Sequence, residues 1–106
     1  MQNPFKGEDG RVSNTTYTCP CCGYKSFEQC PPGTFEICSI CYWEDDPVQF
    51  DDPFYAGGAN TSSLYMSQRN FIKYGASEEL FVNTVRKPIA TDQRDIHFKL
   101  IPSPTR

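Results

Sequence analysis

Cys19-Pro20-Cys21-Cys22-Gly23, followed fifteen residues later by Cys38-Ser39-Ile40-Cys41, is the stretch whose reading decides the fold. Two thiolates three residues apart can both turn inward from one tight loop, and two such loops brought together form a tetrahedral all-sulfur site. Pro20 pre-sets the backbone for the turn, and Gly23 accepts a positive φ where the chain leaves it. Residues 25–28 and 34–37 read as short strands on either side of the turn Pro31-Pro32-Gly33. The expectation is a zinc ribbon, a β-hairpin core with Cys19, Cys22, Cys38 and Cys41 as ligands and Zn2+ as cofactor. Iron can substitute, because a four-thiolate site accepts either metal. A disulfide framework is the competing reading, and residues 1–11 lack the apolar stretch of a secretory signal that would favour it.

Two of the six cysteines fall outside this set. Cys21, between two ligands, is expected to point away from the metal, and Cys30 lies beside the Pro-Pro-Gly turn. Both read as ordinary reduced thiols. A Cys21–Cys30 redox pair, or Cys21 standing in for a neighbouring ligand, is the alternative.

Working outward, 106 residues with 38% hydrophobic and 22% charged composition suit one folded domain. No apolar run approaches the ~20 residues that span a bilayer, so a cytoplasmic location is expected. The formal net charge of −3 argues against a general nucleic-acid binder. The charge is divided: residues 1–54 hold nine acids against three bases, residues 55–106 seven bases against four acids. Glu44-Asp45-Asp46 and Asp51-Asp52 concentrate the acids, without the Gly and terminal Glu of a calcium loop. They read as an acidic loop whose Asp side chains cap turns at Pro47 and Pro53. Trp43 is expected to cover one side of the sulfur cluster.

The second half supplies an amphipathic helix. Asn60, Thr61 or Ser62 can cap it, Leu64, Tyr65, Gln68, Phe71 and Ile72 form its inner face, and Gly75 ends it. A shorter helical piece starts at Ser77-Glu78-Glu79. Residues 95–101 alternate, with Ile96, Phe98 and Leu100 opposite His97 and Lys99, and read as a strand. The fold class is therefore α+β: a zinc-ribbon hairpin packed against one helix, a short helix and a C-terminal strand. Residues 1–16 form a variable or flexible N-terminal segment, 17–88 the ribbon with its helix, and 89–106 the strand and tail of the same domain.

Cys19-Pro20-Cys21-Cys22-Gly23-Tyr24, Ile37-Cys38-x2-Cys41-x-Trp43-Glu44-Asp45-Asp46 and Gly57-Gly58-Ala59-Asn60 with Ser63-Leu64 resemble the cysteine-rich CPCC domain family. Arg69-Asn70-Phe71, Tyr74-Gly75-Ala76 and Val85-Arg86-Lys87-Pro88 continue the resemblance, which spans residues 17–88. It implies a small metal-binding protein and no established reaction. Cys22-Gly23-Tyr24 and Pro32-Gly33-Thr34-Phe35-Glu36 are similar to pieces of rubredoxin, an iron electron carrier, but the loop between the cysteine pairs is much shorter here.

Four cysteine ligands leave no open position for catalysis, and no nucleophile elbow, phosphate loop or adjacent Cys-His pair is present. The expected function is a non-catalytic zinc protein that binds another protein. Trp43, Glu44, Asp45, Asp46, Asp51 and Asp52 are the candidate contact residues. Neutralising a basic toxin as an immunity protein is one alternative, since charge complementarity speeds capture. A nucleic-acid-binding ribbon is another, disfavoured by bases spread over residues 69–106.

Overall fold

The computed structural model describes residues 16–104, so all but the last residue of the N-terminal segment 1–16 lies outside the described residues. The described residues form two α-helices, α1 (Pro47–Asp51) and α2 (Leu64–Tyr74), and a 3₁₀ turn at Glu79–Phe81. No β-strand is present among the described residues. The zinc-ribbon hairpin and the C-terminal strand are therefore both corrected, and the fold is irregular chain and two helices around a cysteine core.

Three isolated antiparallel bridges stand where ladders were expected: Tyr17 with Phe27, Ile37 with Glu44, and Tyr24 with Arg94. The hairpin ladder fails because a side chain takes its hydrogen bonds. The Glu36 carboxylate accepts the Glu28 N–H at 2.9 and 3.0 Å and the Gln29 N–H at 3.1 Å. A carboxylate bonded to backbone in this way offers the chain an alternative to sheet pairing. Pro31 and Pro32 then supply no donors. The same competition undoes residues 95–101. Asp95 takes the His97 N–H on its side chain at 2.9 Å and the Phe98 N–H on its carbonyl at 3.0 Å, which makes a turn. Ile96 is left 89% exposed and Leu100 also faces outward, while Phe98 meets Gly23.

Helix α2 follows its local signals. The Ser63 side chain accepts the Met66 N–H at 3.1 Å, and Gly75 closes the helix at φ 83°, its N–H donating to Phe71. The inner stripe is Leu64, Ser67, Gln68 and the half-buried Phe71, the i, i+3, i+4, i+7 spacing of one helical face. Ile72, assigned to that face from sequence, is 64% exposed. Leu64 joins Cys19, Cys21, Cys22, Cys38, Cys41, Phe27, Ile40 and Trp43 in one buried cluster, with Tyr24, Phe71 and Ile101 against it. Among the described residues no helix is long and apolar enough to cross a membrane.

A second, polar centre organises residues 44–62. Asp46 caps α1, accepting the Val48 N–H at 2.8 Å on Oδ1, while Oδ2 accepts the Ala59 N–H at 2.8 Å. These bonds, the one from Ala59 foremost, hold its carboxyl below the usual carboxylate range although burial opposes them. Gln49, wholly buried, donates to the carbonyls of Tyr55, Asn60 and Ser62 and accepts from both nitrogens of Asn60. Asn60 in turn exchanges hydrogen bonds with the backbone of Glu44, at 2.9 Å and 2.8 Å. Gln49→Leu keeps the volume but strands these groups, and urea unfolding should show a loss of about 3 kcal/mol. Val48→Ala, at an exposed neighbouring position, should stay within about 0.5 kcal/mol.

Candidate metal centre

Each cysteine pair sits on a loop closed by one of the bridges, and the two loops repeat one geometry. The Gly23 N–H donates to the Cys19 carbonyl at 3.0 Å, and the Tyr42 N–H to the Cys38 carbonyl at 2.8 Å. At the fifth position of each loop φ is positive, 83° at Gly23 and 71° at Tyr42. The left-handed conformation costs a non-glycine residue roughly 1–2 kcal/mol. The Tyr42 ring lies 4.6 Å from that of Phe81, and an aromatic pair of this kind returns about 0.5–1.5 kcal/mol. Gly23 has no such freedom to change. A Cβ there would lie 2.6 Å from Phe98 Cδ2.

The Sγ atoms of Cys19, Cys22, Cys38 and Cys41 all lie within 4.8 Å of one another, and all four residues are buried. Cys19 and Cys41 approach to 3.6 Å and Cys22 and Cys38 to 3.7 Å. A tetrahedral ion with metal–sulfur bonds of ~2.3 Å spaces its ligands about 3.8 Å apart, so this cage is of the right size. Backbone amides also aim at the sulfurs. Cys19 accepts the Cys21 N–H at 3.4 Å, Cys41 accepts the Trp43 N–H at 3.4 Å, and Cys38 accepts the N–H groups of Ile40 and Cys41 at 3.3 and 3.4 Å. Donors of this kind stabilise thiolates rather than thiols, which fits the residues to a bound cation.

Burial pushes the Cys19 and Cys41 thiols up. Cys38 goes the other way: hydrogen bonds from the Cys19, Cys22 and Cys41 thiols, and then from Ser26, draw it down. The Ser26 hydroxyl lies 2.9 Å from Cys38 Sγ. Ser26 carries no sequence signal for this role, being brought in by the return of the chain after Cys22. Arg86 is the other contributor invisible in the sequence. Its guanidinium is raised chiefly by the bidentate pair with Asp92, and the charge on Cys38 and Cys22 adds to that.

The remaining candidates separate. Cys21 is buried, and burial raises its thiol. Cys30 is exposed, and both are free thiols, so no disulfide joins them. Trp43 packs within the cysteine cluster. Asp45 is wholly buried, accepting the Thr34 N–H and hydroxyl at 2.8 Å each, and Asp46 is buried at the α1 cap. Of the acidic stretch, Glu44 is half-buried and Asp51 and Asp52 face outward. The structure thus brings the four cysteines together but does not gather the acidic residues on one surface.

Substituting Ser for Cys19, Cys22, Cys38 or Cys41 should abolish metal retention and cooperative unfolding together. Cys30→Ser should leave both unchanged, and Cys21→Ala should cost about 1 kcal/mol while metal is retained. Gly23→Ala should cost at least about 2 kcal/mol, combining left-handed strain with the displaced Phe98 ring. Metal analysis and thermal melts of each variant check these outcomes.

Among curated proteins nothing matches the chain. The profile of one family, Cysteine-rich CPCC, matches residues 17–92, which includes both loops, α1, α2 and the segment that carries Arg86 and Asp92. The chain belongs to the cysteine-rich CPCC family.

Proposed function

We propose that the protein is a non-catalytic zinc protein whose metal centre is also its core, and that its outer surface serves to bind another protein. The observation that carries the metal reading is the set of four buried sulfurs within 4.8 Å, each held on a loop whose amides point inward. Zinc suits a closed four-thiolate site, where it would contribute folding energy and leave no position for a substrate. Free thiols in such a site also suit a reducing compartment such as the cytoplasm.

Support for a binding role comes from what the small core leaves outside. Phe50, Phe54 and Tyr55 are each 40–45% exposed beside the outward-facing Asp51 and Asp52. Aromatic groups rimmed by charge are the composition of an interface centre and its edge. The acids favour a partner with a basic face, whose capture would weaken with salt.

Purified under reducing conditions, the protein should contain one zinc per chain, and cobalt should replace it with the spectrum of tetrahedral sulfur coordination. Iron in stoichiometric amount, giving a red protein, would replace zinc in this reading. For the binding role, Asp51→Lys/Asp52→Lys and Phe50→Ser should retain zinc and melting temperature but release, at low salt, a partner that the wild-type chain holds. Equal retention by these variants would remove this surface from the contact.

A further inference from the structure

The four sulfurs are all buried, but they are not covered alike. Over Cys19 and Cys41 lies α2 and the chain that leaves it: Gln68 Nε2 donates to the Pro20 carbonyl at 2.9 Å, and the Ser77 N–H to the Cys41 carbonyl at 2.7 Å. Beside Cys22, Gly23 is pressed by the Phe98 ring, and the Asp95 N–H donates to the Gly23 carbonyl at 2.8 Å. Against the Cys38 sulfur stands the Ser26 hydroxyl, at 2.9 Å.

Outside that hydroxyl lies a polar cleft of about 700 Å3. Ser26 and both chain neighbours of Cys38, Ile37 and Ser39, line it. Its far wall is the segment that carries Arg86 and Asp92, pinned by the Arg86 N–H on the Ser39 carbonyl at 3.2 Å and stiffened by the Arg86–Asp92 pair at 2.7 Å. Charged groups of both signs line it, Lys25 and Arg86 against Glu28, Glu36 and Asp92, with Arg86 already paired to Asp92. Cys38 also differs from the other three sulfurs in its bonding. It takes three donors, from Ser26, Ile40 and Cys41, where Cys19 and Cys41 each take one backbone N–H. Charge spread over three hydrogen bonds makes a thiolate a weaker metal donor and a more stable leaving group.

We propose that this cleft is the port for metal exchange, that Cys38 is the sulfur a small chelator or thiol reaches first, and that the Ser26 hydroxyl is its cover. The inference rests on the metal reading above. The exchange is a ligand substitution without redox change: the incoming carboxylate or thiolate takes the place of the Cys38 sulfur. That sulfur keeps its electron pair and negative charge on its three donors, or takes a proton from water in the cleft. Departure from the Cys19 or Cys41 side would require α2 to lift.

The test uses the full chain loaded with zinc, its metal content measured in every sample. Iodoacetamide is added during zinc transfer to a chromophoric chelator, and the alkylated cysteines are mapped in time by mass spectrometry, with the exposed Cys30 replaced by Ser. Cys38 should be the first of the four to be modified. Ser26→Ala, which uncovers the Cys38 sulfur and leaves it one hydrogen bond fewer and hence more nucleophilic, should speed its alkylation at least fivefold, while Ser26→Thr stays near wild type. Ser39→Trp, which fills the cleft, should slow zinc transfer at least fivefold, and Met66→Trp on the exposed face of α2 should not. First modification at Cys19, Cys22 or Cys41, or wild-type transfer in a folded Ser39→Trp, overturns the port. Should a variant fail to fold, the order of alkylation in the chain with native Ser26 and Ser39 decides. A preparation with no stoichiometric metal overturns the metal reading itself, and the port with it.

Discussion

Four thiol-bearing residues held within 4.8 Å of one another in the dry centre of a 106-residue chain set the terms for everything around them. As neutral thiols they pack as small hydrophobes, but as thiolates in a low-dielectric core they repel unless a cation joins them. The fold offers little else at its centre. Phe27, Ile40, Trp43 and Leu64 are the apolar residues buried with the cysteines, and side chains as large as Leu80, Ile89 and Ile96 remain outside. A core this small leaves burial alone a narrow margin over the chain's conformational entropy, and on the proposed reading metal binding would add to folding directly. The elements around the site read as supports for it: two loops that aim amides at sulfur, a helix that seals one side, and a C-terminal segment that seals another.

The two cysteine loops show how far sequence can differ at one position while the loop geometry is kept. Glycine occupies the left-handed position in the first loop and tyrosine in the second, and the backbone is nearly the same, with φ of 83° and 71°. Strain at Tyr42 is of the same size as the stacking its ring gains on Phe81, so the substitution is close to neutral for stability. The constraint at position 23 is different in kind. Phe98 occupies the space that a side chain would need, so glycine is required there by packing as well as by conformation.

How much could be read in advance follows from how local each determinant is. The ligand spacing, the Gly75 end of α2 and the capping role of the acidic stretch are written within a few neighbouring residues, and the structure places them accordingly, whereas the α2 cap falls at Ser63, one residue past the expected Asn60, Thr61 or Ser62. The strands were not legible. Alternation at Ile96, Phe98 and Leu100 is a strand signal only if backbone donors are free to pair, and Asp95 consumes two of them in a turn. Glu36 acts likewise on Glu28 and Gln29 from seven and eight residues away. Ser26 and Arg86 gain their places beside Cys38 through tertiary packing, and no spacing in the chain announces either. Composition also misleads at Asp45 and Asp46, because carboxylates are surface residues by default and these two are turned inward by specific donors.

That inward turn changes what the acidic segment is. Asp45 ties the chain at Thr34 to the loop of Cys41, Asp46 starts α1 and holds Ala59, and Gln49 and Asn60 knit the segment to itself and to Glu44. Where a larger domain would place aliphatic side chains, this one uses a buried amide pair, whose hydrogen bonds fix one arrangement and tolerate no slippage of register. The rigidity matters for the surface. Phe50, Asp51 and Asp52 project from a five-residue helix too short to persist alone, and they keep fixed positions only because Gln49 anchors that helix from beneath. A contact face made of these residues would therefore be preorganised by the polar centre, and the polar centre is braced against the cysteine loop through the backbone of Glu44, which bridges to Ile37 beside Cys38. Loss of the metal would reach the outer face along that route, through hydrogen-bonded backbone rather than through apolar contacts.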